Sequence, residues 1–167
     1  MGQNISANQS KINIRESEDT DTPFFEKLYF ETRRDEFAQI GWDENQIRML
    51  LQMQFNVQTQ AYQMQFPDAR TSVIEADGTA VGRLITGDNS NELRLIDVAV
   101  LPESRGLGIG SFVMNKLQTE ARKTGKPVTL QVLKTNIPAI RLYEKFGFET
   151  ISEDELYLAM EWRTEPL

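Results

Sequence analysis

The chain has 167 residues, 40% of them hydrophobic and 26% charged, the size and mix of one globular domain with its own core rather than two. With 18 Lys and Arg against 25 Asp and Glu its formal charge is -7, which excludes the basic footprint of a general nucleic-acid binder. Cys and His are both absent, so disulfides, thiolate or imidazole zinc sites, a Cys nucleophile and any His-based triad are excluded, and no metal site is expected.

Residues 1–10 are polar and aperiodic and read as a flexible tail, followed by a single domain over 11–167. Met1, Gly2 and Ser6 fit a short N-myristoylation pattern, one brief enough to arise by accident, and Lys11 is the only base before Arg15. No run of about 18 apolar residues occurs, and the start lacks the regions of a signal peptide. A cytoplasmic protein with no membrane contact is therefore expected. Lys11 to Arg15 alternates like a first strand. From Thr22 to about Ile40 the spacing of Phe25, Leu28, Tyr29, Thr32 and Phe37 predicts a helix with Asp21 or Thr22 near its N-cap, ended by Gly41. A second helix, capped by Asp43 and stopped by Pro67, carries an apolar stripe of Ile47, Leu50, Leu51, Phe55, Ala61, Tyr62 and Phe66.

Short runs follow. Thr71 to Ala76 and Ala80 to Thr86 flank Asp77-Gly78, a dipeptide suited to a hairpin turn, and a second turn at Gly87-Asp88-Asn89 leads to Leu93 to Val100. From Gly110, Phe112, Val113, Leu117 and Ala121 fit one helical face closed by Gly125, and Val128 to Leu133 then reads as a buried strand parallel to the one before the helix. A short helix from about Pro138 to Phe146 and strands around Phe148 to Ser152 and Tyr157 to Trp162 complete the chain.

The stretch that carries chemistry is Arg105-Gly106-Leu107-Gly108-Ile109-Gly110-Ser111, between a strand and a helix N-terminus. Glycines let backbone amides approach a ligand, and the helix start supplies free N–H groups with partial positive charge, so a phosphate is the expected ligand. A P-loop needs Lys before Ser111, where Gly110 stands; a dinucleotide fingerprint needs G-x-x-G after the first glycine and an acid after Leu133, and neither is present.

Arg105-x-x-Gly108-x-Gly110, preceded by Val98-Ala99-Val100-x-Pro102, resembles the [QR]-x-x-G-x-[GA] motif of the GNAT superfamily of acyl-CoA-dependent N-acyltransferases. Asn136-x-x-Ala139-x-x-Leu142-Tyr143, followed by Phe146-Gly147-Phe148, resembles that family's second signature at the expected distance. The clear resemblance spans about Leu93 to Phe148. It implies an α/β fold with a mixed, mostly antiparallel sheet splayed between strands 4 and 5 and flanked by about four helices. Acetyl-CoA would be the cosubstrate, its pantetheine paired with the backbone of Val98, Ala99 and Val100. Its pyrophosphate would lie on the amides of Gly106, Gly108, Gly110 and Ser111 near Arg105, and Asn136 would bond it from the other wall.

The reaction implied is direct acetyl transfer to a primary amine of unidentified kind, with Tyr143, which also touches the cofactor, as the acid. Presenting a Lys-type amine neutral at pH 7 costs about 4 to 5 kcal/mol, so a base or desolvation is needed. Many family members place an acid where this chain has Arg94, and that departure turns attention to Asp97 and Glu92, either acting through a water chain. Asp97 has a plainer reading as a partner of Arg94. Ten acidic against three basic residues between Glu16 and Glu44 form a field that attracts cations, or simply a solvated helix face, and Tyr29, Phe30, Arg33, Arg34 and Trp42 are candidate pocket walls. A non-catalytic acyl-CoA-binding module is the competing reading, a nucleotide-dependent oxidoreductase or kinase a third, and a monomer or homodimer is expected.

Overall fold

The computed structural model describes residues 10–165. The Met1, Gly2 and Ser6 pattern and all of the expected tail except Ser10 lie outside the described residues. Seven strands form one sheet in the order β1-β2-β3-β4-β5-β7-β6, antiparallel everywhere except between β4 and β5. The strands are β1 (Ile12–Glu16), β2 (Arg70–Ala76), β3 (Thr79–Asp88), β4 (Leu93–Val100), β5 (Val128–Leu133), β6 (Glu149–Glu153) and β7 (Tyr157–Trp162). Helices α1 (Thr22–Arg33) and α2 (Glu44–Gln65) precede β2, α3 (Ile109–Thr124) joins β4 to β5, and α4 (Ile137–Lys145) follows β5. The mixed fold implied by the family resemblance is the one observed.

Alternation along each strand divides the core into two layers. Val73 packs with Phe25, Tyr29, Phe30, Ile47, Leu51 and Phe55 beneath α1 and α2. Its neighbour Ile74 points the opposite way, into a larger cluster with Leu84, Leu95, Val113, Leu117, Leu130, Tyr143, Phe148 and Met160 beneath α3 and α4. Arg15 ties β1 to the start of α1 with a two-pronged bond to Asp21 at 2.8 and 2.9 Å and a further bond to Glu75 at 2.8 Å. Asp43 caps α2 by accepting from Gln46 N at 2.9 Å, and the Gln46 side chain accepts in return from Asp43 N at 3.1 Å.

Several boundaries differ from the sequence reading. α1 stops at Arg33 and tightens into a 3-10 turn over Arg34–Phe37, which brings Phe37 back against the α1/α2 cluster; Gly41, at φ 75°, then reverses the chain. The second hairpin turn lies later than Gly87-Asp88-Asn89, because the Asn89 side chain accepts from the amides of Asn91 and Glu92 at 2.8 and 2.9 Å and β3 runs on to Asp88. Ala61 is exposed although it fits the α2 stripe, and Phe112 is 36% exposed although it fits the α3 face.

Candidate active site

β4 and β5 lie side by side for only three residue pairs, Leu93 with Val128, Arg94 with Thr129 and Leu95 with Leu130. Beyond these, β4 continues to Val100 against β3 alone, and β5 continues to Leu133 against β7 alone. A wedge opens between residues 96–100 and 131–133, and its walls are strand edges whose peptide groups have no adjoining strand. The closed end is pinned by Leu93 N donating to Pro127 O at 2.9 Å and by the Thr129 hydroxyl donating to Glu92 Oε2 at 2.7 Å. Glu92 therefore belongs to the clamp. At roughly 3.3 Å per residue it sits about 16 Å along the strand from Asp97, away from the open wedge.

A bulge sets the chemistry of the β4 wall. Thr86 faces Leu95 and Ile85 faces Asp97, so Ile96 is an extra residue with no partner on β3. Before it, Leu93 and Leu95 point into the α3/α4 cluster; after it, Val98 and Val100 do. The intervening Asp97 and Ala99 are thereby turned to the α1/α2 face. There Arg83, opposite Ala99, donates from Nη2 to Asp97 Oδ2 at 2.6 Å and to Gln58 Oε1 at 3.4 Å. Asp97 pairs with Arg83 and not with Arg94, whose guanidinium lies 5.6 Å from the Phe66 ring centre. Arg83 is 7% exposed and 5.9 Å from the centre of the Phe25 ring, whereas the Asp97 side chain is 25% exposed. The Arg83 Nε–H has no hydrogen-bond partner among the described residues.

Three tyrosines lie about the sheet, Tyr29 and Tyr62 on the α1/α2 side with the ion pair and Tyr143 in the α3/α4 cluster on the other. Burial, reinforced by the Asp97 charge, pushes the hydroxyls of Tyr143 and Tyr62 up to about 12, and burial raises that of Tyr29. All three are neutral proton donors at physiological pH. Tyr143 projects from α4 into the core, its ring 5.9 Å from that of Phe148, and among the described residues its hydroxyl makes no hydrogen bond to protein. Asp97 lies on the α1/α2 face and Tyr143 in the α3/α4 cluster, so the two predicted catalytic residues stand on opposite faces of the sheet, and the Asp97 charge adds to the burial that raises the Tyr143 hydroxyl. Arg83 and Gln58 were not singled out from the sequence; the one signal was a lone charge inside the apolar run Ala80-Val81-Gly82-Arg83-Leu84-Ile85.

The glycine loop stands at the open end of the wedge. Gly106 and Gly108 have φ of 81° and 80°, a left-handed backbone that strains any other residue, and Gly108 is the N-cap of α3. The first α3 amide bonded to a carbonyl is that of Phe112, to Gly108 O at 3.0 Å; among the described residues the amides from Gly106 to Ser111 have no backbone acceptor. They are free donors at the positive end of a 16-residue helix. Gly110 serves packing as well, since a Cβ there would lie 2.7 Å from Leu142 Cδ2 of α4. Arg105 is exposed beside the loop. Asn136 caps α4, its Oδ1 accepting from Ala139 N at 3.3 Å, and its Nδ2–H groups have no partner among the described residues.

The pocket-wall candidates divide. Tyr29 is buried, with the Arg33 guanidinium 4.2 Å from its ring centre, and it senses Asp97. Phe30 is a core residue, Arg34 lies 3.8 Å from Glu44, and Trp42 is 45% exposed on a separate shallow depression with Phe30 and Pro102.

A model of the acetyltransferase (GNAT) family matches residues 25–148. The chain is 28% identical over 106 residues to the mouse thialysine N-epsilon-acetyltransferase, covering 57% of this chain and 62% of that protein. It is 42% identical over 52 residues to an uncharacterised N-acetyltransferase of Schizosaccharomyces pombe, covering 30% of this chain and 32% of that protein. The matched segments thus span less than two thirds of these relatives. Among solved structures, the PaiA N-acetyltransferase of Thermoplasma acidophilum in complex with coenzyme A superposes with a TM-score of 0.71 at 20% identity, over 92% of this chain and 99% of that one. The chain belongs to the GNAT acetyltransferase family.

Proposed function

We propose that the protein transfers an acetyl group directly from acetyl-CoA to a primary amine. The observation that carries this reading is the wedge between β4 and β5, ending at a loop whose amides from Gly106 to Ser111 lack backbone acceptors. An unpaired strand edge fits an amide-bearing chain such as pantetheine, and free amides at a helix start fit a pyrophosphate. The residues present therefore suit acetyl-CoA, which when bound supplies the acetyl group as an activated thioester. Backbone groups of Val98, Ala99 and Val100 would pair with the pantetheine amides, the amides of Gly106, Gly108, Gly110 and Ser111 with Arg105 would hold the pyrophosphate, and Asn136 Nδ2 would donate from the opposite wall.

Asp97 Oδ2 is held by Arg83, which leaves Oδ1 to accept the proton that the ammonium must lose, directly or through one water. The amine nitrogen then bonds the acyl carbon as the carbon–sulfur bond breaks. The Tyr143 hydroxyl supplies the proton that the departing sulfur takes up, and the second proton lost by the attacking nitrogen restores that hydroxyl, so that the proton taken by Asp97 is the one released. Burial keeps Tyr143 protonated, and the same exclusion of water raises the affinity of the thiolate for that proton. The balance is one ammonium and one thioester to one amide, one thiol and one released proton. The small amine in the name of the mouse relative supports a small-molecule acceptor.

The test is thermal unfolding with acetyl-CoA, CoA, ATP and NAD, each alone, followed by thiol release with an amine panel. At about 100 times its dissociation constant a ligand adds roughly 2.7 kcal/mol, or several degrees at about 2 to 4 °C per kcal/mol for a chain of this size. Shifts with acetyl-CoA and CoA alone, and turnover on an amine, are expected. Binding without turnover on any amine would favour a non-catalytic acyl-CoA module, and a shift with ATP or NAD alone would overturn the reading.

A further inference from the structure

The outer face of α2 is apolar, and no described residue covers it. Met49, Met53, Val57 and Met64 are 75, 59, 62 and 85% exposed, and Ala61 is exposed among them. From Met49 to Ala61 these residues recur at intervals of four, a ridge along one side of the helix that Met64 extends. Ile47, Leu51 and Phe55, which anchor α2 on the sheet, occupy the opposite side, so the ridge faces away from Asp97 and the wedge. A continuous apolar strip about 22 Å long, at roughly 1.5 Å per residue, is a contact surface rather than a scatter of surface residues.

Three observations select a second copy of the chain as the occupant. The formal charge of -7 makes two copies repel over most of their surfaces, yet Met49 to Pro67 is the longest stretch of the sequence without a charged residue, so along this helix two copies meet with no like charges pressed together. No Lys or Arg lies between Arg48 and Arg70, which leaves an anionic lipid surface nothing to hold there. The ridge also complements itself. Set antiparallel about a two-fold axis at Val57, Met53 of one chain meets Ala61 of the other, large against small at both ends of the contact, with the flexible thioethers filling what remains. Finally, the polar groups beside the ridge are carboxamides, each with a donor and an acceptor and so able to bond its own kind: Gln60 and Gln63 are exposed, and Gln52 Nε2 donates to Asn56 Oδ1 at 3.3 Å, leaving an acceptor on one and donors on the other. We propose that α2 pairs with α2 of a second copy through Met49, Met53, Val57, Ala61 and Met64, giving an isologous homodimer with Val57 on its axis. A strip of this length on a helix about 10 to 12 Å across covers less than the roughly 800 Å² per partner of a standard interface, so the dimer is a weak one, with a dissociation constant of about 10 μM or more.

Sedimentation velocity of the full chain over about 1 to 300 μM, the range so small an interface implies, tests this. The mass is expected to pass from one chain to two, and added salt to tighten the dimer, because it screens the repulsion between acidic copies and leaves the apolar contact in place. Val57→Glu, at an exposed position the fold tolerates, sets two carboxylates against each other on the axis and should weaken the dimer by more than about tenfold; Val57→Lys does the same with two ammonium groups. An equimolar mixture of the two variants should regain the dimer, since each Glu then meets a Lys. A thermal midpoint near that of the parent chain shows that each variant is folded. A parent chain that stays monomeric throughout, a dimer that salt weakens or that Val57→Glu leaves intact, or a mixture no tighter than either variant alone would overturn the proposal.

Discussion

Gly82 sits on β3 opposite Val100, and the space above its Cα is filled by the neighbouring backbone. A Cβ placed there would lie 2.6 Å from Ala99 O and 3.2 Å from Ile74 Cδ1. Ordinary contact begins at 3.4 Å, so Gly82→Ala requires β3 and β4 to separate by up to 3.4 - 2.6 = 0.8 Å at this point. Ile74 is fully buried and cannot give way, whereas residues 96–100 have no strand on their other side. The displacement therefore goes into the wedge. Overpacking of this size costs about 2 kcal/mol, a fall in melting midpoint of roughly 4 to 8 °C. The narrowed wedge should also weaken CoA binding by more than the stability loss alone explains. Calorimetric titration with CoA, set beside thermal unfolding, measures both. A midpoint and a CoA affinity unchanged from the parent chain would refute the argument, because β4 would then have absorbed the methyl group without moving.

Tyr143→Phe should lower kcat by about a hundredfold, the usual worth of a general acid, while CoA affinity measured by titration stays near that of the parent; unchanged turnover would remove Tyr143 as the proton donor. Gly108→Asp combines strain at a φ of 80° with a negative charge among the free amides, so CoA binding should be abolished in a protein whose circular dichroism is that of the parent chain; normal affinity would sink the loop assignment. Asp21 is held down to about 2 by the Arg15 guanidinium and then by the Glu18 amide, from an ordinary value of 3.8. Its folded value is depressed, so its contribution to stability is fully present above about 4 and is lost as the pH falls toward 2. Asp21→Asn should flatten that part of the stability profile in acid denaturation, and an unaltered slope between pH 4 and 2 would count against the Arg15 pair as its source.

Much of this molecule can be read from local sequence. The period of Phe25, Leu28 and Tyr29, the Asp43 cap and the Asp77-Gly78 turn place α1, α2 and the first hairpin, because each depends on residues within a few positions of one another. The glycine loop and the Asn136 to Phe148 signature point to the wedge only through the family resemblance they carry, since nothing local in either stretch says that β4 and β5 part. What escapes is set by distant contacts. Nothing in Leu95-Ile96-Asp97 announces a bulge; it follows from how β4 must meet β3, and it alone sends Asp97 to the side where Arg83 waits. The same blindness puts Ala61 on the inner face of α2 and Phe112 on that of α3, since periodicity reports a face and not what covers it.

The wedge also bears on how the chain keeps from sticking to itself. An exposed strand edge is an invitation to any other strand, and at the rim of this sheet β6 answers with Glu149 and Glu153 and β1 with Arg15 and Glu16. The unpaired edges of residues 96–100 and 131–133 carry no such guard; they face each other within the sheet and not outward from its rim, although Gln131 and Leu133 are exposed. A sticky ladder of peptide groups is thus held in the middle of the sheet and not at its rim, where the flat edge of another protein's sheet cannot lie alongside it but a single extended chain can.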